Sequence, residues 1–172
     1  MKKLQLSFLR TQLLDDNKNT AYIISRSWSQ VTGTEERDVS WLTDICEDGN
    51  IERVTRILNL VFRFLEMKLY KFSAVPAPDD SYLDDTYGEP EKYTMYLKIP
   101  DDFAKVSVQL AKNLIHEIMV YRVLWEWCSL THHTEGMSWM GEKVEKLLEE
   151  LHSAINKTNA GYIFRKASGL GI

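Results

Sequence analysis

The chain has 172 residues and a formal net charge of −4, and this length fits one domain or one domain with arms. Hydrophobic residues make up 44% and charged residues 27% of the chain, which are ordinary values for a soluble globular protein. A pI near 5.6 argues against a protein whose main function is to bind nucleic acid, because nucleic-acid binding needs a basic surface that replaces the counterions of the phosphates.

The sequence contains no targeting or membrane signal that we recognise. Its first residues form no secretory signal, because Gln5, Ser7 and Arg10 interrupt the apolar run. No segment reaches the roughly eighteen uncharged apolar residues that a membrane span needs. Cys46 and Cys128 lie far apart, so we expect reduced thiols of an intracellular protein rather than a disulfide framework.

The N-terminal part has no single predicted structure. Residues 4–9 alternate as in a strand, yet Phe8, Leu9, Gln12 and Leu13 also suit a short helix that ends near residues 15–19. Residues 20–31 are rich in β-branched and aromatic side chains, which indicates a short strand or an extended arm. We therefore interpret residues 1–38 as an N-terminal arm that precedes a helical core at about 39–157.

A helix is predicted from Asn50 to about Phe72, with Asn50 or Asp48 as its cap. Its apolar residues recur at helical spacing: Ile51, Val54, Ile57, Leu58, Val61, Phe62, Leu65 and Leu69. Residues 73–92 hold three of the four prolines and many acidic residues, which indicates a long surface or functional loop. Residues 93–99 then alternate and form a short predicted strand.

The longest predicted helix runs from Asp101 to Leu130 without an internal Gly or Pro. Pro100 and the two aspartates that follow it are a helix start signal. From Ile118 to Cys128 the helix is apolar nearly all round, so either the rest of the chain or a neighbouring subunit must enclose it. A full-length helix would span about 45 Å, so it either protrudes or begins after Asp101.

A polar turn at 131–136 leads to the last predicted helix, from Met137 to about Asn156, which folds back antiparallel onto the long helix. The tail at 158–172 is expected to be flexible. The chain is thus predicted to be a single domain, residues 1–172, of the mainly α class. It is a helical bundle of three substantial helices with a short β element and an extended loop and tail.

Candidate metal-binding residues lack the spacing that a metal site requires. His116 and Glu117 begin a zinc-protease pattern, but Val120 occupies the position of the second histidine. His132 and His133 are adjacent in a polar turn, so their side chains are expected to point in different directions. Glu142 and Glu145 have magnesium-binding spacing but no second acidic pair on a facing helix, and no metal, cofactor or catalytic residue is assigned.

Aromatic side chains concentrate at one end of the predicted bundle, on the long and last helices. Core packing explains them, but aromatic residues are also enriched at stable protein interfaces. The tail adds a further apolar pair. The candidate interface residues are Tyr121, Trp125, Trp127 and Trp139, with Tyr162 and Phe164 in the tail.

Two segments carry a resemblance to a known family: GNIERVTRILNLVFRFLE at residues 49–66 and YLKIPDDFAKVSVQLAKNLIHEIMVYRVLWEWCSLT at 96–131. They look like small helical proteins, themselves uncharacterised, of gut-anaerobe genomes and prophages, which are similar in outline to the head-tail connector (neck) proteins of phages. In such proteins arms extend a helical bundle, and ring assembly uses the bundle sides and the extended segments. The resemblance implies that the long and last helices, the 73–92 loop and the tail from Gly161 make the contacts.

We therefore expect a non-enzymatic structural or assembly protein of a phage or prophage particle. Its partners would be copies of itself or other virion proteins, and its location the cytoplasm or the virion. Two alternatives remain open. One is a metal-dependent hydrolase of the helical-bundle type that uses His132, His133 or the glutamates of the last helix. The other is a small adaptor or regulatory protein that binds nucleic acid through Arg165 and Lys166. The net negative charge of the chain disfavours this second alternative.

Overall fold

The computed structural model describes residues 2–32, 40–74, 88–99, 101 and 105–156. In chain order the elements are β1 (Lys2–Leu9), α1 (Arg10–Thr32), the one-turn α2 (Ser40–Thr43), a 3-10 turn (Asp44–Cys46), α3 (Ile51–Lys68), a 3-10 turn (Tyr70–Phe72), β2 (Lys92–Ile99), α4 (Lys105–Leu130) and α5 (Thr134–Asn156). The mainly α class is confirmed. The number of substantial helices is four rather than three, because α1 is a helix of 23 residues.

Helix α1 occupies most of the segment that the sequence indicated to be an arm. The expectation of a strand or extended arm at 20–31 is wrong, because α1 runs through these residues. Its apolar residues misled the interpretation, since Tyr22 and Ile23 are 53% and 66% exposed. The buried face of α1 instead carries Leu13 and then, at four-residue steps, the small or polar residues Asn17, Ala21 and Ser25.

Strands β1 and β2 form a two-stranded antiparallel sheet, with a register that runs from Lys2↔Ile99 to Leu9↔Lys92. Side chains alternate between a buried and a solvated face. The buried face consists of Leu6, Phe8, Tyr93, Met95, Leu97 and Ile99. The strand predicted at 93–99 is confirmed, and the ambiguous N-terminal residues are resolved as a strand.

Helix α4 lies in the middle of the bundle and packs against α5, α1 and α3. No residue from Ile118 to Cys128 is exposed, so the chain itself encloses the segment that is apolar all round. In the described part, α4 begins at Lys105. Its first turns project from the core, because Val106 and Leu110 remain exposed.

The turn between α4 and α5 is set by two adjacent histidines. His132 has a φ of 58°, the left-handed conformation. Its N–H donates to the carbonyl of Ser129 at 3.4 Å, and the N–H of His133 donates to the carbonyl of Cys128 at 2.9 Å. This is the Schellman pattern that ends a helix. Nδ1 of His133 then accepts a hydrogen bond from the N–H of Gly136 at 3.0 Å, which caps the first turn of α5.

Several predicted boundaries shift because of these local contacts. Helix α5 begins at Thr134, before the predicted Met137, because the His133 cap recruits the preceding polar residues into the helix. Helix α3 ends at Lys68, and a 3-10 turn continues it to Phe72. The predicted loop at 73–92 is described only at 73–74 and 88–92, and its last residue, Lys92, is the first of β2. The tail at 158–172 lies outside the described residues. No helix in the described part combines the length and apolarity needed to cross a membrane.

Replacing His132 tests the turn. A non-glycine residue in the left-handed conformation costs about 1–2 kcal/mol, so His132→Gly is expected to raise the free energy of unfolding by about 1 kcal/mol. His133→Ala is the matched control at the next position, and it is expected to lower that free energy by about 1 kcal/mol through loss of the cap. Urea denaturation measures both. Destabilisation by His132→Gly would show that its side chain, not its backbone, stabilises the turn.

The buried Cys128 thiol predicts a dependence of stability on pH. Burial raises the pKa of Cys128 to about 12, whereas an unfolded thiol has a pKa of about 8.5. Between these values the unfolded state loses a proton that the folded state keeps. The free energy of unfolding should therefore be unaffected by this thiol below about pH 8.5 and should fall as the pH rises above it, by about 2 kcal/mol at pH 10.

Cys128→Ala removes this contribution, so its stability should fall less between pH 7 and pH 10 than that of the unmodified chain. Denaturation curves of both chains at the two pH values measure the difference. Equal losses in the two chains would mean that the thiol ionises as readily in the folded state as in the unfolded state.

Candidate functional site: an aromatic surface

Four apolar side chains meet where α1, α4 and α5 come together: Ile24, Trp28, Tyr121 and Trp139. We call them the aromatic surface. The rings of Tyr121 and Trp139 meet edge to face, with centroids 6.1 Å apart. Trp139 is 47% exposed. Beside it is a cavity of about 310 Å³, lined by Ile24, Ser27, Trp28 and Trp139, so an apolar side chain from outside can lie against this surface.

The aromatic surface is held in place by the first turn of α5. The ring of Trp28 meets the ring of His133 at 4.9 Å, edge to face. Gly136 allows this approach, because a Cβ there would lie 2.9 Å from Sγ of Cys128 and 3.3 Å from the Trp28 ring. The residue that caps α5 therefore also contacts Trp28, and groups of the same chain hold this ring in place.

Charged side chains border the Tyr121 side of this surface. Nζ of Lys143 lies 5.5 Å from the centre of the Tyr121 ring, a cation–π distance. Burial raises the pKa of the Tyr121 hydroxyl, and the carboxylate of Glu117 raises it further. The ammonium of Lys143 lies over the Tyr121 ring at the border of the surface. An apolar centre with a charged rim is the usual layout of a protein interface.

Trp125 lies farther along α4, under the guanidinium of Arg122. The Arg122 carbon Cζ is 4.0 Å from the Trp125 ring centre and 5.1 Å from that of Phe64. Its NH2 group bonds to Glu126 at 2.9 Å. The opposite edge of Trp125 faces Gly141, where an added Cβ would lie 3.3 Å from Nε1. Trp125 is thus half-buried and held by groups of its own chain.

The structure brings together only part of the predicted aromatic set. Tyr121 and Trp139 are in contact, and Trp125 lies one helical turn away. Trp127 is only 8% exposed and belongs to the core, so it is not available for an outside partner. Tyr162 and Phe164 lie outside the described residues.

Sequence reasoning missed the contribution of α1 to the aromatic surface. Ile24 and Trp28 stand four residues apart, and this spacing places two side chains on one helical face. That signal was present, but the β-branched and aromatic composition around it favoured a strand.

A second feature is a polar cleft of about 500 Å³ between β1, α1 and α4. Nε2 of His116 lies 2.8 Å from Oδ2 of Asp16, which joins α4 to α1. His116, Lys112 and Asn113 all line this cleft. Asp16 was not singled out from the sequence, because its partner is distant in the chain.

The candidate metal ligands do not converge. Nδ1 of His133 is engaged in the cap of α5, and His132 is exposed in the turn. Glu142 and Glu145 are exposed on α5. Within residues 2–32, 40–74, 88–99, 101 and 105–156, no three His, Cys, Asp or Glu side chains lie close enough together to hold a metal ion. Arg165 and Lys166 lie outside the described ranges.

Comparisons with known proteins returned no match for this chain. No protein-family model matches the chain, and neither the curated proteins nor the solved structures gave a match.

Proposed function

We propose that this chain is a non-enzymatic assembly protein that self-associates through the aromatic surface. The observation that carries the proposal is the half-exposed Trp139 beside an apolar cavity. Large apolar side chains in water have a cost, and contiguous exposed apolar surface marks protein contacts more often than chance. Because the chain encloses α4 without help, this surface is not needed to complete the core and is available to a partner.

The physical properties of the surface suit a stable contact. Tyrosine and tryptophan offer large contact areas and lose little conformational entropy on binding. Trp28 and Tyr121 are already ordered by contacts within the chain, so association does not have to order them. Lys143 at the rim gives the contact a charged border that can set its orientation.

The resemblance of residues 49–66 and 96–131 to the prophage proteins supports a narrower proposal. The assembly would be part of a phage or prophage particle, similar to a head-tail connector, with other virion proteins as additional partners. The matching segments correspond to α3, the end of β2 and α4. They carry no catalytic signature, which is consistent with a role in assembly.

A charge at Trp139 tests self-association. Trp139→Asp is expected to raise the dissociation constant of the oligomer at least about 30-fold, because central aromatic residues commonly contribute 2 kcal/mol or more to an interface. Light scattering of the full chain over a range of concentrations measures the mass. Trp139→Phe is the conservative control and should retain association, because it keeps an apolar ring at the surface.

Trp127→Ala separates the surface from the core. Its side chain is buried, so this variant should lose about 3–5 kcal/mol of folding stability, whereas Trp139→Asp should retain the wild-type circular dichroism spectrum and unfold cooperatively. A wild-type chain that stays monomeric at all concentrations would contradict self-association. An unchanged oligomer in Trp139→Asp would place the contact elsewhere.

A further inference from the structure

Strand β1 has one edge that its sheet leaves open. In an antiparallel pair, residues alternate between directing their backbone groups toward the partner strand and away from it. The N–H of Arg10 donates to the carbonyl of Glu91 at 3.0 Å, and Arg10 continues the register of Leu9↔Lys92. The even-numbered residues of β1 therefore face β2. The backbone groups that point outward belong to Lys3, Gln5, Ser7 and Leu9.

The outward backbone groups of Lys3, Gln5 and Ser7 have no hydrogen-bond partner in the part of the chain that the structure describes, whereas the carbonyl of Leu9 precedes the first turn of α1. The far edge of β2 differs, because Ser73 bridges to Leu97 there and the N–H of Ala74 donates to the carbonyl of Tyr96 at 2.9 Å. An unpaired strand edge is a template for another strand. Of the two edges of this sheet, the one on β1 is available for strand addition.

There is also room beside this edge. The polar cleft is lined by Ser7, Phe8 and Leu9 of β1 on one side, and by α1 and α4 on the other. Apolar groups along its walls include Ile23, which is 66% exposed. A strand that pairs with β1 would therefore enter the cleft and cover apolar surface of α1.

The charged side chains of the cleft indicate which strand can pair with β1 there. The carboxylates of Asp16 and Glu117 line it, together with the ammonium of Lys112 and the imidazole of His116, and Asp16 is 40% exposed while hydrogen-bonded to His116. The opposite end of β1 carries Lys2 and Lys3. A two-fold axis that pairs β1 with β1 in antiparallel fashion brings the basic end of each strand to the cleft of the other copy, near the carboxylates of Asp16 and Glu117.

We propose that two copies of this chain pair through the open edges of β1 to form a continuous four-stranded sheet. The register that places Gln5 opposite Gln5 on the two-fold axis uses all outward backbone groups of residues 3–7. It sets Lys2 of one copy opposite Phe8 of the other, on the face that packs on the helices. Phe8 lies beside His116, with ring centroids 6.3 Å apart, so Lys2 arrives next to the Asp16 carboxylate.

The register also avoids repulsion between the two strands. Lys3 of one copy lies opposite Ser7 of the other, so the lysines do not face each other across the axis. Within one copy, Nζ of Lys2 donates to the backbone carbonyl of Asp101 at an exposed position, 3.2 Å away. Dimer formation exchanges this exposed bond for a carboxylate partner, which favours association.

Proline at position 5 tests the edge contact. Gln5→Pro removes an outward N–H and leaves the bonds to β2 in place, and proline is tolerated on edge strands. In the Trp139→Asp background, the chain with Gln5 is expected to be a dimer by light scattering, twice the chain mass of 20.0 kDa. Adding Gln5→Pro should halve that mass. A monomer before the proline is added, or a dimer after it, would overturn the proposal.

Cysteine cross-linking tests the register without depending on stability. Gln5→Cys places two thiols opposite each other on the axis, in a hydrogen-bonded pair with a Cα separation of about 5.5 Å, which a short bifunctional thiol reagent can span. Lys98→Cys is the matched control, because it is on the solvated face of β2 with the same native thiols. The short reagent should cross-link only the Gln5→Cys chain. Cross-linking of both variants, or of neither, would rule out this pairing.

The edge contact does not depend on the aromatic surface, and the two can fail separately. If Trp139→Asp keeps the wild-type mass while Gln5→Cys cross-links, self-association through the aromatic surface is wrong and the β1 contact holds. If Trp139→Asp lowers the mass to that of a monomer, the aromatic surface is the contact and β1 pairing is wrong.

Discussion

Helix α4 is apolar nearly all round between Ile118 and Cys128, and this constraint determines the positions of the other long helices. Its charged residues there, Arg122 and Glu126, pair with each other and are only partly exposed, and a helix of this kind is stable only when it is surrounded. Helices α1, α3 and α5 therefore pack around it, and the two-stranded sheet covers the remaining core. The same enclosure limits where function can reside. Side chains such as Trp127 are buried in the core. A partner can therefore contact only the outer faces of the surrounding helices.

The sequence predicted those helices and strands whose buried apolar residues recur at helical or strand spacing. The apolar repeats of α3, α4 and α5 and the alternation of β2 were sufficient for the mainly α class. Helix α1 was missed because its buried face carries Asn17 and Ala21, whereas Tyr22 and Ile23 point to solvent. The candidate site was predicted only where its residues lie on α4 and α5. The role of Trp28 depends on a contact with α5 that no local pattern encodes.

Helix α1 connects the two surfaces that we propose for association. Asp16, near its start, lies in the cleft beside the β1 edge, and Trp28, near its end, belongs to the aromatic surface. These residues are about 18 Å apart along the helix axis. Two separate contacts on one rigid element allow a copy to bind two neighbours at once, which a single contact does not. Closed rings and extended arrays both require this property.

The pairing of β1 with β2 has a consequence for how the chain folds. The register joins Lys2 to Ile99, so the first strand made by the ribosome has no partner until the second is complete. At about 5–20 residues per second of synthesis, this delay amounts to several seconds. Contacts that are distant in sequence also form slowly after synthesis. Throughout that interval both edges of β1 lack a strand partner, so the sheet is among the last parts of the fold to form.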